Sequence, residues 1–305
     1  MKTKLKLDHM TTKSMLAALV LSLVLSVPGL ANAEFNFTTI DFPDSTGTAA
    51  NGNSNNQIVG DYNDSNANTH GFILGKKGGF KKIDVPAATL TQLNGINAKG
   101  QIAGTYHDGT RFHGFFLSNR VITTLDPPGS SESQGGFLNS RGEVVGGYRD
   151  AVGKRHAFFW RKGVFTTIDP PNLHATLGPI AFGINDRRQV VGTFVDVAGK
   201  RHGFLLSKGV YTTLDFPGAA FTIAEGINNA GQIVGLYVDA NDNDHGFILS
   251  KEVGYEEINV PDAAWTHVYS INAEGEIVGA YYGDVDGITH GFVGKPSHEE
   301  HEEHN

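Results

Sequence analysis

Four short segments of one repeat decide the fold: 225-EGIN-228, 232-QIVGLY-237, 245-HGFIL-249 and 255-YEEIN-259. Each segment is rich in residues that favour β-strands and is bounded by Gly, Asn, Asp or Pro. The turn Asn228 to Gly231 suits a tight hairpin, since glycine supplies the positive φ that such a turn needs. The unit therefore predicts four consecutive antiparallel strands.

The unit occurs six times along the chain, and three markers recur in one register. A His-Gly-Phe or His-Ala-Phe tripeptide recurs at intervals of 43 to 46 residues, a glycine follows a short apolar pair, and an Asp or Asn ends a strand before proline. A histidine needed by every unit is predicted to be structural rather than catalytic, satisfying local polar partners. These histidines are His70, His113, His156, His202, His245 and His290.

The two ends of the repeat array complement each other. Residues 37–41 have the pattern of a fourth strand with no unit before it, and residues 290–294 form a third strand with no fourth strand after it. We expect these two segments to pair, because pairing hides two exposed sheet edges at once. The sequence thus predicts an all-β fold: a six-bladed β-propeller of four-stranded blades, closed by the N-terminal strand. An open or differently closed β-array is the alternative.

The N-terminal segment resembles a secretory signal. A lysine-rich start precedes a 13-residue apolar run at 15–27 and a small-x-small site at 31–33. The apolar run is shorter than the roughly 20 residues that span a bilayer. We predict a cleavable signal peptide at 1–33, with a retained anchor as the alternative, then one propeller domain at 34–296 and a disordered His/Glu-rich tail at 297–305.

Composition restricts the partners. The first 33 residues hold four Lys and one Asp, so their removal takes the net charge from −8 to about −11. An acidic surface repels phosphate backbones, so no nucleic-acid partner is expected. After signal cleavage no membrane span is expected. The chain contains no cysteine. We predict a monomer that is exported to the periplasm or the extracellular space.

The repeat resembles the HAF repeats of extracellular bacterial proteins, named for a His-Ala-Phe core that is present here at 156–158. The resemblance covers residues 37–294. It departs at 51–53, where Asn-Gly-Asn stands in place of Gly-Ile-Asn, and at Asn259, which replaces an Asp. The resemblance implies an extracellular or periplasmic setting, and it implies no activity.

Two segments contain residue types that bind metals. The loop at 239–244 alternates acidic and amide side chains as calcium loops do, but it lacks the Gly and Glu of the EF-hand, so solvated turns are favoured. The tail has histidines three residues apart, which does not match the zinc-protease motif. No cofactor is predicted, with calcium or a tail-bound transition metal as minor alternatives. The weak metal candidates are Asp239, Asn241, Asn243, His298, His301 and His304.

Candidate ligand-binding residues are the side chains that differ between repeats. The fourth repeat has an insertion between Asp169 and Asn185 that brings His174 into a longer loop, a place where function is often found. Polar and aromatic residues also precede the shared Asn of the first strands, which line a propeller channel, although the pleat leaves open which of them point inward. These residues are Gln92, Asn94, Gln134, Glu225, Trp265, His267 and Tyr269.

Two functions are consistent with this pattern. The sequence lacks Gly-x-Ser-x-Gly, phosphate-binding and thiol motifs. We therefore favour a non-enzymatic binding or interaction module whose ligand is a glycan or a protein. The alternative is a lyase or hydrolase that acts on a polysaccharide at the channel mouth, with Glu225 and either His174 or His267 as its acid/base pair. No catalytic residue is assigned from the sequence.

Overall fold

The computed structural model describes residues 33–54 and 57–297, and these residues form β-strands and connecting turns. The first twelve strands are β1 (Phe35–Ile40), β2 (Gly47–Ser54), β3 (Gln57–Asn63), β4 (Thr69–Gly75), β5 (Phe80–Ile83), β6 (Leu90–Ile96), β7 (Ile102–His107), β8 (Phe112–Ser118), β9 (Val121–Leu125), β10 (Glu132–Leu138), β11 (Val144–Arg149) and β12 (Arg155–Arg161). The others are β13 (Val164–Thr167), β14 (Ile180–Ile184), β15 (Val190–Val195), β16 (Arg201–Ser207), β17 (Val210–Leu214), β18 (Phe221–Ile227), β19 (Ile233–Val238), β20 (Asp244–Ser250), β21 (Gly254–Ile258), β22 (Ala263–Ile271), β23 (Ile277–Gly283) and β24 (Thr289–Pro296).

Two predicted segments fall outside this description. The signal peptide at 1–33 lies outside the described residues apart from Ala33, and the tail at 297–305 lies outside them apart from Ser297. Within the part of the chain that the structure describes, no helix has the length and hydropathy needed to cross a membrane.

The strands pair as antiparallel meanders in chain order. Four sheets contain four strands, and one sheet contains eight. The eight-stranded sheet consists of the meanders β2–β5 and β6–β9, which one parallel residue pair joins, Thr69 with Leu90. We number the meanders as repeats one to six, beginning at the first strands β2, β6, β10, β14, β18 and β22. Repeats one to five each contain the four strands predicted, and repeat six contains three strands of its own.

The last sheet takes its fourth strand from the start of the chain. Strand β1 pairs antiparallel with β24, with Phe37 opposite Gly294 and Ile40 opposite Gly291. This is the pairing predicted between 37–41 and 290–294. Strand β2 also contacts β22, β23 and β24, so the first repeat lies against the sixth.

Two of the repeated sequence markers fit each other in the core. The phenylalanine of each His-x-Phe is almost completely buried and lies opposite the repeated glycine of the second strand, as Phe115 does with Gly104. A Cβ atom at Gly104 would overlap the carbonyl oxygen of Gln92 and lie 2.7 Å from the ring of Phe115. The glycine is required because the ring and a neighbouring backbone fill the space that a side chain would need.

Five of the six repeated histidines lie between two aspartates. In repeat two, His113 Nδ1 is 2.9 Å from Asp126 Oδ2 and Nε2 is 3.1 Å from Asp108 Oδ2. The same arrangement occurs at His70, His156, His202 and His290, with distances from 2.6 to 3.3 Å. An aromatic ring from the second strand lies beside each imidazole, with centroids 4.8 to 5.4 Å apart. These histidines link loops to strands within their own repeats.

Asparagines join consecutive repeats at the other end of the first strands. The Nδ2 atom of Asn97, Asn139, Asn185 and Asn228 donates to the carbonyl oxygen of the equivalent asparagine in the next repeat, at 3.0 to 3.3 Å. The pairing register places Ser54, not Asn53, at this position in repeat one, because Gly52 lies opposite Val59 as Gly95 lies opposite Ala103. The sequence alignment at 51–53 was therefore wrong by one residue.

Candidate functional site

Every first strand contains a β-bulge at the same place. One residue of each first strand pairs with the repeated glycine of the second strand, and the pairing register shifts directly after it. A bulge leaves a residue unpaired and redirects its side chain. The bulge residues are Asn51, Asn94, Gly136, Phe182, Glu225 and Tyr269, with Phe137 also inside the bulge of repeat three.

All six bulge positions line one central cavity of about 330 Å³. Each first strand contacts the first strand of the next repeat, and β22 contacts β2, which brings the six positions together. The repeats differ at this position, where two asparagines, a glycine, a phenylalanine, a glutamate and a tyrosine replace one another. The cavity therefore has a composition that no single repeat determines.

Polar side chains from the first three repeats form one side of the cavity. Asn51 Nδ2 donates to Asp61 Oδ1 at 2.6 Å and to the Leu93 carbonyl at 3.2 Å. Asn94 Nδ2 donates to the Gly135 carbonyl. Among the described residues no group donates to the Oδ1 atom of Asn51 or Asn94, so both oxygens are available as acceptors. Gln92, Thr105 and Gln134 complete this side.

The opposite side combines apolar surface with two ionisable groups. Ile180, Ala181 and Phe182 of β14 line the cavity together with Phe137. Glu225 and Tyr269 come from the next two first strands and lie between this surface and the polar side. A bound molecule would thus meet amide groups on one side and hydrocarbon on the other.

Burial controls the charge of the cavity. The pKa of Glu225 is raised to about 8 by burial, and its carboxyl group makes no hydrogen bond within the described chain. Burial also raises the pKa of Asp61 to about 6, although hydrogen bonds from Asn51 and Gln92 oppose the shift. The pKa of Tyr269 is raised by burial and by the nearby Glu225 carboxyl group. Glu225 therefore keeps its proton to a higher pH than Asp61 does.

Five of the candidate residues from the sequence line this cavity: Gln92, Asn94, Gln134, Glu225 and Tyr269. Trp265 and His267 are not among the residues that line it, and their rings contact each other with centroids 4.4 Å apart. His267 occupies the same strand position as Gln92 and Gln134, but its Nε2 atom lies 2.8 Å from Asp244 Oδ2 of the preceding sheet. Burial lowers the pKa of His267 against the opposing effect of Asp244.

His174 is separate from the cavity. Its Nδ1 atom accepts hydrogen bonds from the backbone amides of Thr176 at 3.3 Å and Leu177 at 3.2 Å, so the ring stabilises its own loop. The acid/base pair of Glu225 with His174 or His267 is therefore not assembled, because neither histidine lines the cavity with Glu225.

The acidic loop of repeat five forms a self-contained turn. Asp239 Oδ1 accepts the backbone amides of Asn241 and Asn243 at 2.7 and 2.9 Å, and these bonds hold the pKa of Asp239 below its ordinary value. Among residues 33–54 and 57–297, no cluster of three His, Asp or Glu side chains has the arrangement of a metal site. The tail candidates His298, His301 and His304 lie outside the described residues.

The sequence reasoning missed the other cavity residues, among them Asn51, Asp61, Thr105 and Phe182. A signal was present in the alignment of repeats. The bulge residue directly precedes a glycine in four repeats, as in Asn51-Gly52 and Phe182-Gly183. Asp61 directly follows the repeated glycine of β3, where the other repeats have Thr, Gly, Leu or Ala.

Comparisons with known proteins identify the fold. No protein-family model and no curated protein matches the chain. Among solved structures, TolB from Acinetobacter baumannii is 12% identical with a TM-score of 0.57, and the match covers 79% of this chain and 64% of TolB. The β-propeller domain of the Trilobed protease from Pyrococcus furiosus is 8% identical, with a TM-score of 0.52 and coverage of 83% and 97%. AofleA from Arthrobotrys oligospora is 9% identical, with a TM-score of 0.52 and coverage of 86% of each chain. The chain is similar to these proteins in fold, and the fold is that of a β-propeller.

Proposed function

We propose that this protein is a binding module that holds a small, uncharged, polyhydroxylated ligand, such as a sugar residue at the end of a glycan, in the central cavity. The observation that carries the proposal is that the six bulge positions differ between repeats and yet line one cavity. A volume of about 330 Å³ lies at the lower end of the range for small-molecule sites, which extends over roughly 300–1,000 Å³. A protein ligand is disfavoured by this size.

The proposed architecture is a six-bladed ring in which each repeat is a blade and β1 completes the sixth. The register of β1 with β24 and the contacts of β2 with β22, β23 and β24 support it. Asn53 of repeat one also donates to the Glu276 carbonyl at 2.9 Å and accepts from Ser270 Oγ at 3.0 Å, which joins the first repeat to the sixth.

The proposed setting is outside the cytoplasm. It rests on the signal-like segment at 1–33 and on the resemblance to HAF repeats, which are sequence observations. The protein is also proposed to act as a monomer.

The cavity chemistry fits a neutral polyol. Carboxamides can accept and donate hydrogen bonds to hydroxyl groups, and the protonated Glu225 carboxyl group can donate one. The surface formed by Ile180, Phe182 and Phe137 suits the apolar face of a sugar ring. The ionised Asp61 and the acidic net charge disfavour anionic ligands.

Calorimetric titration of the purified protein with a panel of neutral monosaccharides at pH 7 tests this proposal. We expect at least one sugar to bind and expect Glu225→Leu to lose that binding, because leucine supplies no hydrogen-bond donor. Glu225→Gln should retain most of the affinity, since its amide can still donate. Glu252→Gln, on the exposed surface, is the matched control. Equal binding by all four proteins, or no binding to the parent, would contradict the proposal.

A polysaccharide lyase or hydrolase is the second candidate, favoured by one observation. Two carboxyl groups with raised pKa, Asp61 and Glu225, line the same cavity, and such pairs perform acid/base chemistry. Chromatography of neutral and acidic oligosaccharides incubated with the protein separates this candidate from binding. Catalysis predicts new products that disappear in both Asp61→Asn and Glu225→Gln, whereas a binding module yields none.

A further inference from the structure

A buried carboxylate in repeat three is surrounded by arginines. Glu143 ends the turn between β10 and β11, and its side chain is 2% exposed. Arg141 Nη2 donates to its Oε2 atom at 3.1 Å, and Arg188 Nη2 of repeat four donates to Oε1 at 2.7 Å. Arg161, the last residue of β12, places its Nε atom 3.4 Å from Oε1. Three guanidinium groups from three segments of the chain therefore share one carboxylate.

Equivalent positions in other repeats show how many cations the pair Glu143 and Arg161 requires. In repeat six the strand register places Glu276 and Lys295 there, with Nζ 3.5 Å from Oε1. Repeats two and four have an uncharged Gln and Ser at these positions, and the Gln side chain donates to the Ser hydroxyl. One cation thus balances the carboxylate of repeat six, so the other two arginines around Glu143 are additional.

Arg188 occupies a backbone position that other repeats give to glycine. Its φ is 56°, in the left-handed region where a Cβ atom crowds the following carbonyl oxygen. The equivalent residue is a glycine with positive φ in four other repeats: Gly100, Gly142, Gly231 and Gly275. Such strain is concentrated at sites that need a particular side chain. Here the side chain reaches the Glu143 carboxylate of the preceding repeat.

The guanidinium groups keep hydrogen-bond donors that the described chain does not use. In the part of the chain that the structure describes, no acceptor is bonded to Nη1 of Arg141 or Arg188, or to either Nη atom of Arg161. The three side chains are 44%, 48% and 52% exposed, so an ion in solution can reach them. Forked N–H groups of this kind bind carboxylate and phosphate oxygens. The cluster can therefore accept a second anion beside Glu143.

The charge balance of the cluster favours an anion with two negative charges. Four arginines, the three above and Arg187, stand against the two carboxylates Glu143 and Asp186. Lys162, the neighbour of Arg161 in the chain, is exposed and adds a further positive charge. A surplus of at least two positive charges is present in a chain whose net charge is −8. A dianion balances this surplus better than a monoanion does.

We propose that the arginines around Glu143 form a binding site for a phosphate group, either inorganic phosphate or the phosphate ester of a sugar. A phosphate monoester carries close to two negative charges at pH 7 and has three strong acceptor oxygens. These oxygens accept hydrogen bonds from the unused N–H groups of Arg141, Arg161 and Arg188, and Glu143 holds the guanidinium groups in place. The site is separate from the central cavity, which none of these residues lines, and does not depend on the function proposed there.

NMR titration of the isotope-labelled protein at pH 7 and constant ionic strength tests the proposal, with inorganic phosphate and glucose 6-phosphate as probes. We expect the backbone amide signals of the turns 139–143 and 185–189 to shift and saturate, with a dissociation constant of about 1 mM or below. Tighter binding of glucose 6-phosphate would identify a sugar ester as the source of the phosphate, and equal binding would identify the free ion. Shifts that do not saturate, or that chloride reproduces at the same ionic strength, would show charge screening only and overturn the proposal.

Three variants locate the bound phosphate, and each introduces the residue that another repeat has at the same position. Arg188→Gly removes the left-handed strain, so it should fold, and we expect it to weaken phosphate binding at least about tenfold. Arg161→Ser should weaken binding about tenfold even if Arg188→Gly does not fold.

Arg187→Ala is the matched control, because it causes the same change in net charge within the same turn. The Nη2 atom of Arg187 lies beside Gly231 of repeat five, and its side chain makes no bond to Glu143. We expect this variant to lose less than about threefold in affinity. Equal losses in Arg188→Gly and Arg187→Ala would show that only net charge matters, and unchanged affinity in Arg188→Gly and Arg161→Ser would place the phosphate elsewhere; either result refutes the proposal.

Discussion

The repeated layer and the bulge positions of this molecule differ in how much their residues vary between repeats. In the layer formed by the second, third and fourth strands, the same Gly, His and Phe recur in every repeat at the same pairing positions. At the bulges of the first strands, six positions related by the same repeat hold five different residue types. The layer fixes a backbone that is common to all repeats, and the bulges exploit that backbone to build one asymmetric cavity.

The difference has a physical origin. A residue of the repeated layer packs against its own repeat and the adjacent one. These surroundings are alike in all six repeats, so close packing favours the same residue type each time. A bulge residue faces the cavity, where its neighbours come from several repeats and differ from one bulge to the next. Divergence at the bulges is therefore tolerated, and changes at the two kinds of position should have unequal effects.

The largest effect is expected at the glycine of a second strand. A Cβ atom in Gly104→Ala would meet the Gln92 carbonyl oxygen, which cannot move without breaking the sheet. We expect a loss of about 3 to 5 kcal/mol in the free energy of unfolding. Gly79→Ala is the control, since nothing lies within 4 Å of its added atom, and it should change stability by less than about 1 kcal/mol. Urea denaturation measures both, and similar losses would show that the layer is not close-packed at Gly104.

A single bulge residue should lower stability in a pH-dependent way. The folded protein keeps the Glu225 proton up to pH about 8, whereas the unfolded chain releases it near pH 4.5. Stability should therefore fall as the pH rises between these values and level off above pH 8. Glu225→Gln removes this dependence, and we expect it to be more stable than the parent by roughly 3 to 5 kcal/mol at pH 9 and similar to it at pH 4.

Denaturant midpoints from pH 4 to pH 9 provide the measurement for Glu225. The slope contributed by Asp61, whose pKa is also raised by burial, remains in both proteins and serves as an internal reference. A constant difference between parent and variant across this range would mean that Glu225 is not buried as a neutral acid.

How much the sequence revealed also differs between the two regions. The repeated layer was predictable because its markers recur in register: four strands in each repeat and the pairing of 37–41 with 290–294 are both present. The cavity was only partly predictable. One bulge residue reverses the alternation of a strand, so inward positions cannot be counted from the shared Asn. That is why Trp265 was grouped with Glu225, and why Asn51 and Phe182 were missed.

Long-range contacts account for the other errors. The alternation places His267 with Gln92, but the carboxylate of Asp244 in a neighbouring sheet holds its ring. No local pattern reports such a partner. The one-residue error at Ser54 has a similar cause, because the strand pairing of Gly52 with Val59 sets the alignment there, and repeat one lacks the shared asparagine.

Within the layer, the histidines should contribute unequally. His113 is 8% exposed and lies within hydrogen-bond distance of two aspartates. His245 is 23% exposed, with Asn259 in place of one aspartate and Asp239 Oδ2 3.7 Å away. We expect His113→Ala to cost about 2 kcal/mol and His245→Ala less than about 1 kcal/mol, since buried charge-assisted hydrogen bonds contribute more than exposed ones. Thermal and urea denaturation of the two variants test this, and equal losses would contradict a role for the second aspartate.

The smallest effect on stability is expected where the repeat itself supplies the replacement. Asn94 and Gly136 hold equivalent bulge positions, so Asn94→Gly introduces a residue that the same backbone already accepts in repeat three. The Gly135 carbonyl keeps its hydrogen bond from Thr105 Oγ1 at 3.3 Å, and stability should fall by less than about 1 kcal/mol. Sugar affinity should nevertheless fall about tenfold, because the variant lacks an acceptor on the polar side. Calorimetry measures the sugar affinity of the variant, and urea denaturation measures its free energy of unfolding. A large stability loss with unchanged affinity would place Asn94 in the structural layer rather than in the site.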